Sequence, residues 1–557
     1  MNKILIGLKI ACISALVMLL ANCASQSTSS EINTNSGAGV DSGSAQTIQN
    51  VNTGQVSNLE MSTQQIVLLK QYAPDTTQNN QQIFKRYRVN PTLETANQPV
   101  STFSMDVDNG SYRLATKMLG SNNMPNQDGI RIEEFINALN YQYHPSDDLF
   151  AISAQAMPSP FRKGYHLLHV GLQTKILSDE QRNPSNIVLL ADVSGSMARG
   201  SKLQLLKHAF TSLVSQLNDD DQVAVVSYNF DATIVLPATR AGNKRKIFAA
   251  INAMRADGGT NAEAGIKLAY QVADQMFQPG FNNRVILTSD GMANIGDVSP
   301  EGIVAQVKQS KDKGIFLTTV GVGTGMFNDY LLEQLANQGN GHYLYIADQQ
   351  DIQRTFVDEL TKQLQTVAKD AKVQLTFNSD VIDSYRQLGY DNRQLNEQDF
   401  TDANKDGGEI GAGHKVTVLY EIKLKQGTLN TSGDTQLAKL SVAYKKPLGQ
   451  QVHYINKQIP ATIVTDSVQA ASPDTRLSYA VAAFGEKLRL SYWSRFYHYN
   501  DIVRLLSSLP QDYQRQAQVK ALRRLITRAG LLDYRSDPFE PAYPKSQMNF
   551  NRVPLLD

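Results

Sequence analysis

The chain has 557 residues, 41% of them hydrophobic and 19% charged, with a net charge of +1. That is length for several domains and the composition of an ordinary globular protein. Near-neutrality without a polybasic stretch leaves no footprint for nucleic acid.

Residues 1–22 read as a signal peptide. Lys3 and Lys9 precede an apolar run over 10–20 that is too short for a membrane-spanning helix. Leu20-Ala21-Asn22-Cys23 closes the run and resembles the lipobox of bacterial lipoproteins, which implies a lipid on Cys23. Ala24 after that cysteine resembles the lipoproteins sorted to the outer membrane. The expected location is therefore the cell envelope, with the membrane met only through the lipid; a simple cleaved signal peptide is the alternative. Cys12 and Cys23 are the only cysteines, so the mature fold is expected to hold no disulfide. Residues 23–81 are assigned to a flexible tether, because Ser, Thr, Asn, Gln and Gly dominate its first part and bury too little to order it.

Residues 82–185 read as an N-terminal flanking domain of mixed type. A strand is expected over 101–108, a helix over 131–139, and two antiparallel strands over 149–156 and 165–172. Over 186–368 strands alternate with helices. The strands are expected at 187–190, 222–228, 284–288, 316–322 and 342–346. The helices are expected at 202–217, 262–276, 302–311, 330–337 and 353–366. Such alternation builds an α/β domain with a doubly wound, mostly parallel sheet. A β-rich flanking domain over 369–465 has strands at 373–377, 416–424 and 437–444. A helical C-terminal region, 466–557, follows, with its main helical run over 476–528. The β-rich segments lie on both sides of the α/β unit. One β-sandwich-like domain with the α/β domain inserted in it explains that order.

The chemistry concentrates in Asp192-Val193-Ser194-Gly195-Ser196. Its three oxygen side chains end the apolar run Ile187–Ala191, where ligand sites of open α/β sheets lie. Gly258-Gly259-Thr260-Asn261 precedes a helix, and Ser289-Asp290-Gly291 follows the apolar strand at 284–288. In a parallel sheet these strand ends share one edge, so the three loops can meet above it. Carboxylates and hydroxyls converging at one point suit a small hard cation. The alternative is that Asp192, Ser194 and Ser196 only cap the helix beginning near Lys202 and satisfy loop amides.

Asp192, Ser194, Ser196, Thr260 and Asp290 match the metal-ion-dependent adhesion site of the von Willebrand factor type A domain, which the stretch 186–368 resembles. The segments Ser101–Asp108, Arg131–Asn137, Glu409–His414 and Tyr479–Gly485 look like the flanking and C-terminal regions of bacterial lipoproteins of that family. The resemblance implies that Ser194 and Ser196 bind the metal directly, with Thr260 bound directly or through water. Asp192 and Asp290 would act through waters or hold the hydroxyls. Mg²⁺, or Mn²⁺, would then keep an open position for the Asp or Glu carboxylate of a partner protein.

Other signals are weaker. Asp402-Ala403-Asn404-Lys405-Asp406-Gly407 starts like a calcium loop, but Gly413 stands where the bidentate Glu belongs. A polar turn is the better reading. His166 and His169 would face opposite sides of a strand, which argues against zinc. Tyr492, Trp493, Phe496, Tyr497 and Tyr499 are expected to pack in a core or a domain interface. No nucleotide-binding P-loop, zinc-protease or serine-hydrolase motif occurs. The expectation is a lipid-anchored, non-enzymatic, metal-dependent binding protein. An envelope scaffold whose metal site only stabilises the fold is the second reading.

Overall fold

The computed structural model describes residues 76–540, apart from 80–81, 145, 147, 179–180, 291–306, 308–309, 311–312, 324–326, 360–363, 431–433 and 448. These belong to one compact unit, 60–557. The leader, Cys23, the tether up to residue 75 and most of the helix expected at 302–311 lie outside the described residues.

The central sheet has six strands. From one edge the order is Tyr343–Ile346, Ile315–Val322, Asn282–Ser289, Ser185–Asp192, Gln222–Tyr228 and Ala232–Arg240. The first five are parallel and the last is antiparallel. Helices cover both faces, which is why Ile187–Ala191 is apolar at every position. Odd and even residues go to different cores. Ile187, Leu189 and Ala191 pack with Leu206, Phe210 and Leu213 of helix Lys202–Gln216. Val188 and Leu190 pack with Ile266, Ala269 and Ala273 of helix Ala262–Met276.

The flanking segments form two antiparallel sheets. One runs Gln394–Leu395, Val100–Ser104, Thr366–Phe377, Gln436–Lys445, Val452–Pro460, with Gly408–Gly411 also paired to Thr366–Phe377. The other runs Leu93–Glu94, Ile382–Leu388, Lys415–Leu424, His166–Thr174, Phe150–Pro158. Strands from before and after the α/β unit are direct neighbours in both sheets, as Val100–Ser104 beside Thr366–Phe377 and His166–Thr174 beside Lys415–Leu424 show. The α/β unit is thus inserted in a sandwich. Its entry and exit touch: the Asn183 amide donates to Gln365 Oε1 at 2.9 Å.

The second sheet is buried on both faces, and the period of two sorts its residues. Leu168, Val418 and Tyr420 enter the sandwich core. Leu167, Leu388 and Leu419 point the other way, against helix Ile132–Asn137 and the C-terminal helices Pro473–Leu488, Tyr499–Ser507 and Ala517–Leu532. The architecture agrees with the fold class read from the sequence.

Several details differ. The strand expected over 101–108 ends at Ser104. Asp106 Oδ1 then accepts from the Asp108 amide, and the chain turns into an unforeseen helix, Gly110–Gly120. The helix expected at 353–366 starts at Gln349, where Asp348 and Asp351 form a capping box. It widens over Gln353–Glu359, and Thr366 already opens a strand. The continuous C-terminal run is broken: a 3₁₀ turn, Tyr492–Phe496, and a short helix, Gln511–Arg515, separate the long helices, and Pro510 removes an amide donor at one break. Thr76–Asn79, assigned to the tether, forms a strand paired with Gln82–Lys85. Strands Ala232–Arg240, Ile382–Leu388 and Val452–Pro460 were not foreseen. The first and third are largely exposed edge strands, so their apolar alternation is weak.

Candidate metal centre

Register sets the site. Ala191 pairs with Thr288 across adjacent parallel strands, so Asp192 lies beside Ser289, and Asp290 follows at the same edge. Asp192 is fully buried. Its Oδ1 accepts from the Ser194 amide at 2.9 Å and its Oδ2 from Ser289 Oγ at 2.8 Å. With both oxygens engaged, Asp192 shapes the loop and holds its hydroxyls in place. Ser194 Oγ and Ser196 Oγ lie 2.9 Å apart, with Ser196 partly open to solvent.

The second loop is bound to the first. The Gly195 amide donates to Gly258 O at 3.0 Å, and the Asp257 amide donates to Val193 O at 2.8 Å. Asn261 caps helix Ala262–Met276 through the Ala264 amide, which leaves Thr260 buried just ahead of the helix. Gly258 has φ +80°, and a Cβ there would fall 2.6 Å from the ring of Phe230. Phe230, 64% exposed, forms the apolar rim of the site.

Asp290 bears a feature that the motif does not announce. Lys202 Nζ lies 2.9 Å from its Oδ2, and both side chains are buried. Burial, and then the nearby charge of Asp290, pushes the Asp192 carboxyl up to about 6. The Tyr228 phenol behind them is held protonated by burial and then by the charge of Asp192. All five residues named from the sequence thus lie at or just past one sheet edge, Asp192 as the last residue of its strand. Lys202 and Ser289 were missed. Ser289 was legible as the neighbour of Asp290, but nothing in the sequence told which way Lys202 points.

The capping alternative is met in one half only: Asp192 satisfies the Ser194 loop amide, but none of the three residues caps the helix. Helix Lys202–Gln216 starts after Ser201, which has φ +61° and makes no side-chain cap. The donor set fits a hard cation: three hydroxyls, a carboxylate held by two donors, and a second carboxylate paired with an ammonium. Among the described residues no group of three or more His, Cys, Asp or Glu is placed to hold a metal.

The other candidates are absorbed by packing. Lys372 Nζ donates to Asp402 O at 2.6 Å and Lys445 Nζ to Ala403 O at 2.6 Å, so lysines occupy carbonyls of the calcium-like loop. His169 Nε2 meets Tyr143 Oη at 3.0 Å, and burial pulls its pKa down to about 4. Tyr492, Trp493 and Tyr497 are buried, with the Arg162 and Arg386 guanidiniums 4.7 and 4.8 Å from the Trp493 ring. Phe496 and Tyr499 pack, partly buried, against the C-terminal helical core.

The family described as von Willebrand factor type A domain matches residues 186–377, and one described as von Willebrand factor matches 78–169. The C-terminal domain of the uncharacterized protein YfbK matches 362–531. Escherichia coli YfbK itself is 36% identical over 434 residues, 73% of this chain and 74% of that protein. The chain belongs to the YfbK family. The uncharacterized protein sll0103 of Synechocystis is 23% identical over 56% of this chain and 74% of its own length. A solved von Willebrand factor type A protein from Catenulispora acidiphila aligns over 69% of this chain and 91% of its own, at 17% identity and a TM-score of 0.42. By the family match over 186–377, the inserted unit of this YfbK relative is a von Willebrand factor type A domain. Such domains are commonly metal-dependent protein-interaction modules and generally not enzymes.

Proposed function

We propose that this protein binds a partner protein through Mg²⁺, or Mn²⁺, held by Asp192, Ser194, Ser196, Thr260 and Asp290, and that an Asp or Glu carboxylate of the partner completes the coordination. The carrying observation is the convergence of three loops on one sheet edge. There the two loop hydroxyls lie 2.9 Å apart over a carboxylate fixed by two donors. Mostly neutral ligands leave much of the cation's charge uncompensated, and an incoming carboxylate meets that demand. Mg²⁺ suits the role because it keeps waters that a ligand displaces. The Cys23 lipid would tether the domain to the outer membrane. Among the described residues no helix is long and apolar enough to cross a membrane.

The test is capture from an envelope extract on immobilised protein. A partner retained in Mg²⁺, released by chelator and absent with Asp192→Asn is the expected result. Equal capture under all three conditions would sink the proposal. The scaffold reading is favoured by one observation, the buried ion cluster that joins the inserted domain to its flanks (Arg131 with Asp329 and Glu333). It predicts a gain in melting temperature with Mg²⁺ and no effect of the metal on binding.

A further inference from the structure

The ion pair between Lys202 and Asp290 is placed by the fold. The 3₁₀ segment Gly195–Ser201 ends in two consecutive left-handed residues, Gly200 and Ser201, both at φ +61°. That left-handed conformation is uncommon for serine and strains the backbone. It turns the first residue of helix Lys202–Gln216 back toward the strand ends. The side chain then needs a path. Gly323, at the end of the neighbouring strand Ile315–Val322, leaves it: a Cβ there would lie 2.8 Å from Lys202 Cγ and 3.0 Å from Cε. Gly323 is itself held at φ +82°. A strained turn and a glycine on another strand thus combine to bring one ammonium to one carboxylate of the metal centre.

We propose that Lys202 sets the net charge of this centre and thereby makes the loaded site select an anionic ligand. The proposal rests on the metal reading above. Asp192, Asp290 and Lys202 together carry one net negative charge. A divalent cation changes that to one net positive charge, which a partner carboxylate cancels. Without Lys202 the loaded site would already be neutral. It would hold its metal more tightly and have less demand for the partner's charge. In a buried setting one unit charge outweighs small differences in contact. Lys202 is thus a specificity-determining residue that exchanges metal affinity for ligand affinity. It touches neither the metal nor the ligand.

The experiment uses the full-length protein, with Mn²⁺ counted by electron paramagnetic resonance and acetate as the carboxylate probe, followed by its proton relaxation near bound Mn²⁺. Lys202→Met should bind Mn²⁺ about tenfold more tightly, and its loaded form should hold acetate about tenfold more weakly. Lys202→Gln, which keeps a hydrogen-bond donor beside Asp290, should behave like Lys202→Met. Lys202→Arg keeps the charge and should match the wild type. Wild-type affinities in both neutral variants would overturn the proposal, as would Lys202→Arg behaving like Lys202→Met, because packing would then be the cause. If the wild type takes up no more Mn²⁺ than Asp192→Asn, the metal reading itself fails and takes this one with it.

Discussion

Asp192→Asn should abolish the response of the protein to Mg²⁺ without unfolding it. The residue has two opposed energetic roles. In the metal-free protein its charge is unfavourable, because it is buried and faces Asp290, and its carboxyl is pushed up to about 6. A shift of that size from an ordinary 3.8 is on the order of 3 kcal/mol. The sign follows from linkage. A carboxyl whose folded pKa is raised favours the fold below about 4, and that contribution is lost as pH rises through about 6. Asparagine keeps the shape, accepts from the Ser194 amide and lets the Ser289 hydroxyl reverse its role. The metal-free variant at pH 7 should therefore be as stable as the wild type, or more so by up to about 2 kcal/mol. In the loaded protein the order inverts. At Mg²⁺ one hundred times its dissociation constant the wild type gains about 2.7 kcal/mol, and the variant gains nothing. Melting curves with chelator and with Mg²⁺ give both numbers. A variant that is destabilised without metal yet still stabilised by Mg²⁺ would contradict this account of Asp192.

Arg131→Met should cost about 3–5 kcal/mol, the largest stability loss expected from a single substitution outside the hydrophobic cores. Arg131 precedes helix Ile132–Asn137 in the flanking region and is 4% exposed. It forks onto Asp329 at 2.6 and 3.2 Å, lies 3.5 Å from Glu333 and bonds Glu134. Asp329 and Glu333 stand on helix Asp329–Gln338 of the inserted domain, so this one cation joins the two bodies of the fold. Burial alone would lower its pKa, but the three carboxylates outweigh burial and hold it well above its usual value. Burial raises the Glu333 carboxyl above its usual value. Glu134 is pushed up to about 8, chiefly by burial. Without Arg131 three buried carboxylates lose their common counter-ion. Urea unfolding of the variant checks the figure. Breaking the exposed pair of Lys313 and Asp274 is the control, with an expected cost below about 1 kcal/mol. Equal effects of the two substitutions would mean that the interface is held by apolar contacts alone.

The strand ends were legible in the sequence because burial on both faces writes itself as an unbroken apolar run. Ile187–Ala191 and Val285–Leu287 needed no partner to be recognised, and the oxygens that ended them marked the site. The insertion was legible as an order of patterns, β-rich before and after α/β. Its register was not, because pairing of Val100–Ser104 with Thr366–Phe377 spans some 270 residues of chain. Edge strands such as Ala232–Arg240 escaped notice because half-exposed strands need little apolar alternation. At the site itself Lys202 was hidden for a stereochemical reason. A lysine at a helix start ordinarily points to water, and only the left-handed turn at Gly200 and Ser201, with the room at Gly323, aims it inward. Arg131 was hidden likewise: the helix expected over 131–139 forms as Ile132–Asn137, but what Arg131 just ahead of it reaches lies some 200 residues away.

Everything proposed for the site depends on a divalent cation seated on the loop hydroxyls at this sheet edge. Anomalous diffraction from crystals grown with Mn²⁺ tests it most directly. One strong peak is expected, bonded to Ser194 Oγ and Ser196 Oγ, with Asp192 outside bonding distance and Lys202 still on Asp290. A peak coordinated elsewhere, or none at this edge while Ser194 and Ser196 keep their mutual hydrogen bond, would contradict it.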